Sequence, residues 1–413
     1  MVVATGEVTA ATRRSILLLS LATFASSAGQ RICDAMLPEL SRVFGVTLGQ
    51  AAQVISVFAI TYGIAQLCYG PLGDRLGKYS VITWTTWGCC IGSALAIFAG
   101  SLDVLLIARF LMALSAAAII PLAMAWVGDS VPTDQMQEML TRTGLGTTLG
   151  LVAGQLAGGM LTDALGWRAC FVFITLLFGI VGVFLYGDLC RQQQAHQPHQ
   201  PEPQPEAPVP PTFVKQALII LTGKWSRVVL LLALVEGAAV YGALAIYASH
   251  LHLKFGLSLS MAGAVVALFG LGGMIFMVTG RQLIRRFGQQ DLVLAGGVMI
   301  AVGACTIGYT PHWLPTVPAS VLAGFGFFMF HNTMQANATS MAPDARGTAV
   351  SLFASVLFLG QSVGVGLLAW LLDHIGSSAI IALGGVVMAL EGAVFFLVLR
   401  QRDAIAGDVT TPQ

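Results

Sequence analysis

Long apolar runs separated by short polar breaks fill almost the whole chain. A helical run of about 20 apolar residues matches the roughly 30 Å hydrocarbon core of a bilayer. Twelve such runs can be counted. They start near Ser15, Ala51, Ser80, Val104, Met139, Trp167, Arg227, Leu259, Leu292, Leu314, Thr348 and Ser377. The first leads straight into further apolar segments, so it is read as a span and not as a removed signal peptide. One long segment breaks the pattern, from about Arg191 to Lys224, and it contains "QQQAHQPHQPEPQPEAPVPP". Its Pro/Gln-rich composition predicts a disordered linker between six spans and six. The expected organisation is a six-helix bundle over 1–190, a cytoplasmic linker over 191–224, a second six-helix bundle over 225–402, and a tail over 403–413.

Composition sharpens this picture. Of 413 residues, 56% are hydrophobic and 9% charged, against about 25% charged in soluble domains. So little charge cannot cover a soluble surface, so most of the surface must face lipid. The net charge of +1 gives no reason to expect a nucleic-acid partner. The seven cysteines are odd in number, lie in or at the end of apolar runs, and show no zinc-type spacing; they read as packing residues. No metal and no cofactor is expected.

Basic residues collect on the cytoplasmic side of a membrane protein. With the N-terminus inside, fifteen of the 20 Lys and Arg fall inside and only Arg42, Arg168 and Lys254 outside. Arg31 and Arg109 fall within spans. Both termini are therefore expected in the cytoplasm of a bacterial-type cell, with the chain threaded many times through its inner membrane.

The two halves repeat. Phe44 to Gly77 aligns without gaps on Phe255 to Gly288, an offset of 211. "FGVTL" at Phe44 matches "FGLSL" at Phe255, and Arg75 and Gly77 match Arg286 and Gly288. Asp163 and Gly166 match Asp373 and Gly376 at an offset of 210. Repeats of this kind place a substrate site where they meet, near the bilayer midplane.

The segment after span two reads "GPLGDRLGK", Gly70 to Lys78. Its glycines permit a tight turn between helix ends. Asp74, Arg75 and Lys78 can pair with one another and with Asp129 at the inner end of span four, holding the cytoplasmic side shut in one state. Span five carries Gly146, Gly150, Gly154 and Gly158, one face of a helix, plus Gly159. Small residues on one face let helices approach closely. The Gly70–Lys78 segment resembles the signature loop of the major facilitator superfamily, although the second member of its terminal basic pair is Tyr79. A degenerate copy, "RQLIRRFGQ", begins at Arg281. "GQLAGG", Gly154 to Gly159, is similar to the span-five motif of that family's drug and metabolite antiporters, with Gln155 where the motif has Pro. "GWR" at Gly166 fits the same branch. The resemblance implies an all-α membrane protein of twelve transmembrane helices in two pseudo-symmetric six-helix bundles, with spans one, four, seven and ten lining the central cavity.

Four polar positions stand out inside the spans. Arg109 lies six residues past Asp103, roughly 9 Å below the outer surface, where an arginine needs a partner. The resemblance gives it a role in proton movement. Asp34 lies at comparable depth near the end of span one, so the two are expected to pair, with Arg31 as a competitor for Asp34. Glu236 lies nine residues past Arg227, roughly 14 Å in. Burial favours a neutral carboxyl and a nearby cation a charged one, so a site that alternates between such environments can carry a proton. Glu391, at similar depth in the more peripheral span twelve, ranks lower. Span ten adds His331, Asn332, Gln335 and Asn337.

The function expected is proton-coupled export of small amphipathic molecules or metabolites by alternating access. Asp34, Arg109 and Glu236 are the expected proton-coupling residues. Arg31, Tyr241, His331, Asn332 and Gln335 are expected in the substrate cavity. Gly70, Asp74, Arg75, Gly77, Lys78 and Asp129 form the expected gate, and Gly150, Gly154, Gly158 and Gly159 the antiporter-motif face. The expected partners are a small-molecule substrate, protons and the lipid bilayer, with the chain monomeric. Two rivals stand beside this: an uptake symporter for an anionic or sugar-like metabolite, suited to two intramembrane arginines, and a membrane sensor that transports nothing. No nucleophile–base or metal constellation points to an enzyme.

Overall fold

A computed structural model of the protein describes residues 9–195 and 213–409, and among these residues there are helices and no strands. Half of the expected linker, residues 196–212, lies outside the described residues. The expectation of disorder is corrected for much of the rest: 191–195 continue the helix that ends at Ala195, and Phe213–Thr222 form a short helix.

The first half comprises α1 (Ala10–Arg31), α2 (Leu37–Phe44), α3 (Leu48–Ala51), α4 (Gln53–Leu76), α5 (Lys78–Ile97), α6 (Leu102–Ala116), α7 (Ile119–Ser130), α8 (Thr133–Leu165) and α9 (Trp167–Ala195). The second comprises α10 (Phe213–Thr222), α11 (Lys224–Glu236), a π-helical turn (Gly237–Tyr241), α12 (Gly242–Phe255), α13 (Leu259–Tyr309), α14 (Thr316–Thr339) and α15 (Arg346–Val409). Side-chain caps begin several of them: Thr9, Thr47, Ser101 and Ser258 each accept a backbone N–H from the first turn, which satisfies a donor the helix leaves free.

Among the described residues, eight helical stretches are long and apolar enough to cross a membrane. One of them, α13, has 51 residues. At 1.5 Å per residue it would be about 76 Å long if straight, far beyond any bilayer. It breaks at Gly288, and α15 breaks at Gly376. Helices α1, α8 and α14 have the length but carry more polar residues, several of them buried between helices. The expected count of twelve includes these three and divides α13 at its break.

The breaks expose the duplication in the backbone itself. Among the described residues, positive φ occurs only at Gly45, Gly77, Gly166, Gly256, Gly288 and Gly376. These form three pairs, 45 with 256, 77 with 288 and 166 with 376, at the offsets found in the sequence. At each one the chain reverses through a left-handed conformation that a Cβ would strain. The expectation that several glycines of Gly70–Lys78 make the turn is corrected. Gly70 to Leu76 continue α4, and Gly77 alone turns the chain, with φ +85°.

Two large buried apolar clusters hold the halves. One runs from Ile16 to Leu189 and takes in Ala245 and Val365 of the second half; the other runs from Ile220 to Leu399 and takes in Ala35 of the first. Within the first half the glycine face of α8 packs directly on the backbone of α1. A Cβ at Gly146, Gly150, Gly154 or Gly158 would meet the carbonyl of Ser20, Phe24, Ala28 or Ile32, in that order. The second half repeats the device: Gly360 and Gly364 of α15 meet the carbonyls of Leu234 and Ala238. Gly159 points elsewhere, to Leu259 in the other half. The outside is apolar, with Leu17, Trp84, Ile91, Val278, Trp370 and Leu397 each at least 61% exposed, as a lipid-facing surface requires.

Candidate functional site

The helix ends divide into a basic end, which carries Arg14, Gly77 and Gly288, and an opposite end, which carries Asp34, Gly166 and Gly376. The site is built where α1, α8, α11, the π turn, α13 and α14 meet between them.

Helix α1 ends at Arg31, so Asp34 sits in the turn beyond it, where its amide donates to the Arg31 carbonyl at 3.2 Å. Arg31 Nη1 lies 3.2 Å from Asp34 Oδ2, with both side chains buried. Gln155 Nε2 of α8 donates to the same oxygen at 2.8 Å, while Asp34 Oδ1 has no partner among the described residues. The expected Arg109–Asp34 ion pair is therefore corrected: Asp34 belongs to Arg31 and Gln155. Arg109 is fully buried and donates to the carbonyls of Gly29 (2.8 Å), Val54 (3.2 Å) and Gln30 (3.4 Å). Its guanidinium also lies 4.2 Å over the Phe58 ring. Three carbonyls and a π-face replace the missing carboxylate, which explains how a cation survives at that depth.

Arg31 lies 4.6 Å over the Tyr241 ring. With Gln155, Phe269, Phe327 and Phe328 these two line a cavity of about 40 Å³ between the halves. That admits a water or two, whereas ligand pockets run to several hundred Å³. A substrate can occupy this place only once the halves move apart. Of the expected cavity residues, Arg31 and Tyr241 are found on this wall. His331, Asn332 and Gln335 do not line it: they lie further along α14 toward the basic end. Asn332 donates back to Phe328 O at 2.7 Å, and Gln335 is exposed.

Glu236 ends α11 and is fully buried. His331 Nδ1 of α14 lies 2.7 Å from Glu236 Oε1, and the imidazole is stacked on Phe327 with ring centroids 5.2 Å apart. Two residues singled out separately, one for proton coupling and one for the cavity, are thus one pair. The π turn Gly237–Tyr241 follows Glu236 immediately, and such turns mark places where a helix carries function or changes register.

The Gly70–Lys78 segment forms a junction. Lys78 Nζ lies 2.5 Å from Asp129 and 3.3 Å from Asp74, tying the ends of α4, α5 and α7. All three residues belong to the first half, so these two ion pairs do not join the halves. The latch between halves is at the opposite end. Asp163 of α8 accepts from the amides of Leu259 (3.2 Å) and Ser260 (2.6 Å) and from the Ser260 hydroxyl (2.6 Å). A carboxylate on the N-terminus of α13 gains from the helix dipole and from charge-assisted bonds. Asp163→Ala should therefore favour separation at that end. A cysteine placed at Val266 in the cavity wall, in a background without reactive native cysteines, should react with a maleimide about tenfold faster, equivalent to about 1.4 kcal/mol. An unchanged rate would remove the latch.

One buried node was not foreseen. Asp188, buried near the end of α9, accepts from Ser15 (2.6 Å), Tyr79 (2.8 Å) and Gln192 (3.0 Å) and pairs with Arg14. An acid in the last turns of an apolar run, four residues before Gln192, was the available signal.

These features have a known setting. The sequence model described as the Major Facilitator Superfamily matches residues 19–365. The chain belongs to this superfamily. It is 25% identical, over 81% of its length and 83% of the relative's, to an uncharacterized transporter of the superfamily, YceJ of Bacillus subtilis. It is 26% identical to Multidrug resistance protein D of Escherichia coli over 39% of this chain and 41% of that one. The fold matches a bacterial homolog to the human lysosomal transporter Spinster, solved inward-facing and unoccupied. The TM-score is 0.72 and the identity 18%, over 94% of this chain and 97% of that one. At such identity the shared property is the fold. This superfamily member is a multi-pass membrane transporter that handles small molecules within the membrane, and it is not an enzyme.

Proposed function

We propose that the protein is a proton-driven exporter of small amphipathic molecules, working by alternating access. The observation that carries this is the Glu236–His331 pair: two titratable groups 2.7 Å apart, in mid-membrane, beside a helical irregularity. A fixed structural contact there could be made by groups that do not titrate. The aromatic wall of Tyr241, Phe269, Phe327 and Phe328 suits an apolar body, and the Arg31–Asp34–Gln155 cluster suits a polar handle. The glycine face of α8 resembles the antiporter motif, and some relatives are named for multidrug resistance or multidrug export. Asp34 is the second proton-site candidate, while Arg109, held by carbonyls, braces α1 and α4 around it.

An uptake symporter remains the second reading, because Arg31 itself lines the cavity and would suit an anion. Proteoliposomes of known orientation with an imposed pH gradient separate the two. Ethidium and other amphipathic dyes should move against the proton flow. Movement of an anionic metabolite along with protons, and no counterflow of dyes, would favour symport.

A further inference from the structure

At the offset of 211, residues 70–78 lie opposite residues 281–289. Both segments end a helix at a glycine of positive φ, Gly77 at +85° and Gly288 at +77°, so the turn is the same in each half. The charges differ. In the first half two acids, Asp74 and Asp129, stand against two bases, Arg75 and Lys78, and Lys78 pairs with both acids. In the second half Gly70, Asp74 and Arg75 are answered by Arg281, Arg285 and Arg286. Lys78 is answered by the neutral Gln289, and Asp129 falls opposite Thr339 or Ser340. An amide pair holds this corner instead: Asn337 Nδ2 of α14 donates to Gln289 Oε1 at 3.4 Å. Three arginines are thus surplus to the turn.

Arg281, Arg285 and Arg286 are exposed, and none of them makes an ion pair among the described residues. With Gln282 they line an open cleft of about 540 Å³ that has no acid in its wall. The nearest acid along the chain, Asp291, lies beyond the Gly288 break. Cations gathered this closely repel one another unless an anion stands among them. On the bilayer side of the cleft the helix turns apolar and faces outward: Ile275, Met277 and Val278 are exposed, Val278 to 83%. Val278 lies seven residues before Arg285, roughly 10 Å along the axis. The guanidinium groups therefore stand where the lipid-facing surface gives way to headgroup depth. Ile284 and Phe287, also exposed, continue the apolar surface beside them.

We propose that this cleft binds the phosphate of an anionic phospholipid, whose acyl chains lie along Ile275 and Val278. A guanidinium pairs with phosphate oxygens through two parallel hydrogen bonds, and three of them on one helix end offer several such contacts to a single headgroup. Arg281 and Arg285 are four apart and share a helix face. Gln282 adds a neutral donor to the same wall, and Arg286 reaches it from the next position. A soluble phosphate would meet the same donors, but it would leave the apolar face below them unused. The site requires only that the protein sits in a bilayer, so it stands apart from the direction of transport and from the role of Glu236.

The test is native mass spectrometry of the full-length protein, stripped of lipid in a neutral detergent and titrated with phosphatidylglycerol, phosphatidylcholine or inorganic phosphate. Phosphatidylglycerol should bind about tenfold or more tightly than phosphatidylcholine, given about 1 kcal/mol of attraction for each arginine at an anionic surface. Arg281→Gln/Arg285→Gln/Arg286→Gln should remove that preference and leave phosphatidylcholine binding unchanged. Arg13→Gln/Arg191→Gln/Arg400→Gln removes the same charge from exposed positions at the same basic end and should keep most of the preference. Arg285→Asp installs the acid that the first half carries at this place. It should also abolish the preference, and it decides the question if the triple variant does not fold. Equal losses in the two triple variants would reduce the effect to net charge and overturn the site, as would an undiminished preference in Arg285→Asp. Inorganic phosphate that displaces the lipid at equal concentration would assign the cleft to a soluble anion and overturn the lipid assignment. These readouts use no transport, so their failure and that of proton-driven export are separate results.

Discussion

Replacing Arg31 by Gln is expected to destabilise the protein by about 3 to 5 kcal/mol, because it strands a buried carboxylate. Asp34 is fully buried, and its two polar contacts are Arg31 at 3.2 Å and Gln155 at 2.8 Å. Without Arg31, an amide alone faces it, and Asp34 must take up a proton or distort the turn. Asp34→Asn should be costly in the opposite sense, leaving a guanidinium with the Tyr241 ring and no anion. The double variant Arg31→Gln/Asp34→Asn removes both charges and should recover a large part of the loss. Reversible unfolding of the four proteins in detergent closes the cycle. A coupling below about 0.5 kcal/mol, the limit for independent sites, would mean the two do not act as a pair. The same cycle with Arg109→Gln should show a smaller coupling than the Arg31 cycle, since Arg109 makes its hydrogen bonds to the carbonyls of Gly29, Gln30 and Val54 and none to Asp34.

That contrast shows which parts were legible in the sequence. Depth along a helix can be counted, so Arg109 and Asp34 were correctly placed toward the same end. Direction around the helix and the exact end of α1 cannot be counted in the same way. Asp34 lies past the helix, in a turn, where Arg31 and Gln155 reach it first. Gln155 was visible as a departure from the antiporter motif, in the place of a proline. Its chemistry shows only when α8 lies against α1, where its amide supplies a donor to Asp34 that proline lacks. The glycine periodicity of α8 was legible because a spacing of four is a face on any helix. The backbone reversals were legible because the repeat carried glycine to both members of each pair. The gating segment was misjudged for a local reason: its middle glycines are compatible with a helix as well as a turn, and α4 simply continues through them. Backbone carbonyls, which hold Arg109, leave no trace in a sequence at all.

Glu236 is fully buried and paired with His331, and on the proposed function Glu236→Gln should abolish uphill transport. Gln keeps the shape and can still bond to His331, but it cannot titrate. A mid-membrane carboxylate costs roughly 2.5 to 3.5 kcal/mol on insertion scales for an acid at a helix centre, so removing the charge should not harm folding. The loss should appear in coupling. With one proton exchanged per substrate, an imposed difference of two pH units is worth about 2.7 kcal/mol and can sustain roughly 100-fold accumulation. In Glu236→Gln that ratio should fall toward one, while exchange of substrate across equal concentrations continues. His331→Gln, which removes the partner 2.7 Å away and leaves the carboxyl able to titrate, should retain accumulation with a shifted pH profile. Both variants belong in proteoliposomes with and without the gradient. Accumulation by Glu236→Gln that still followed the pH gradient would exclude Glu236 as the proton site. The search would then turn to Asp34, which keeps one oxygen without a partner among the described residues and is bonded to Arg31 and Gln155 of the cavity wall.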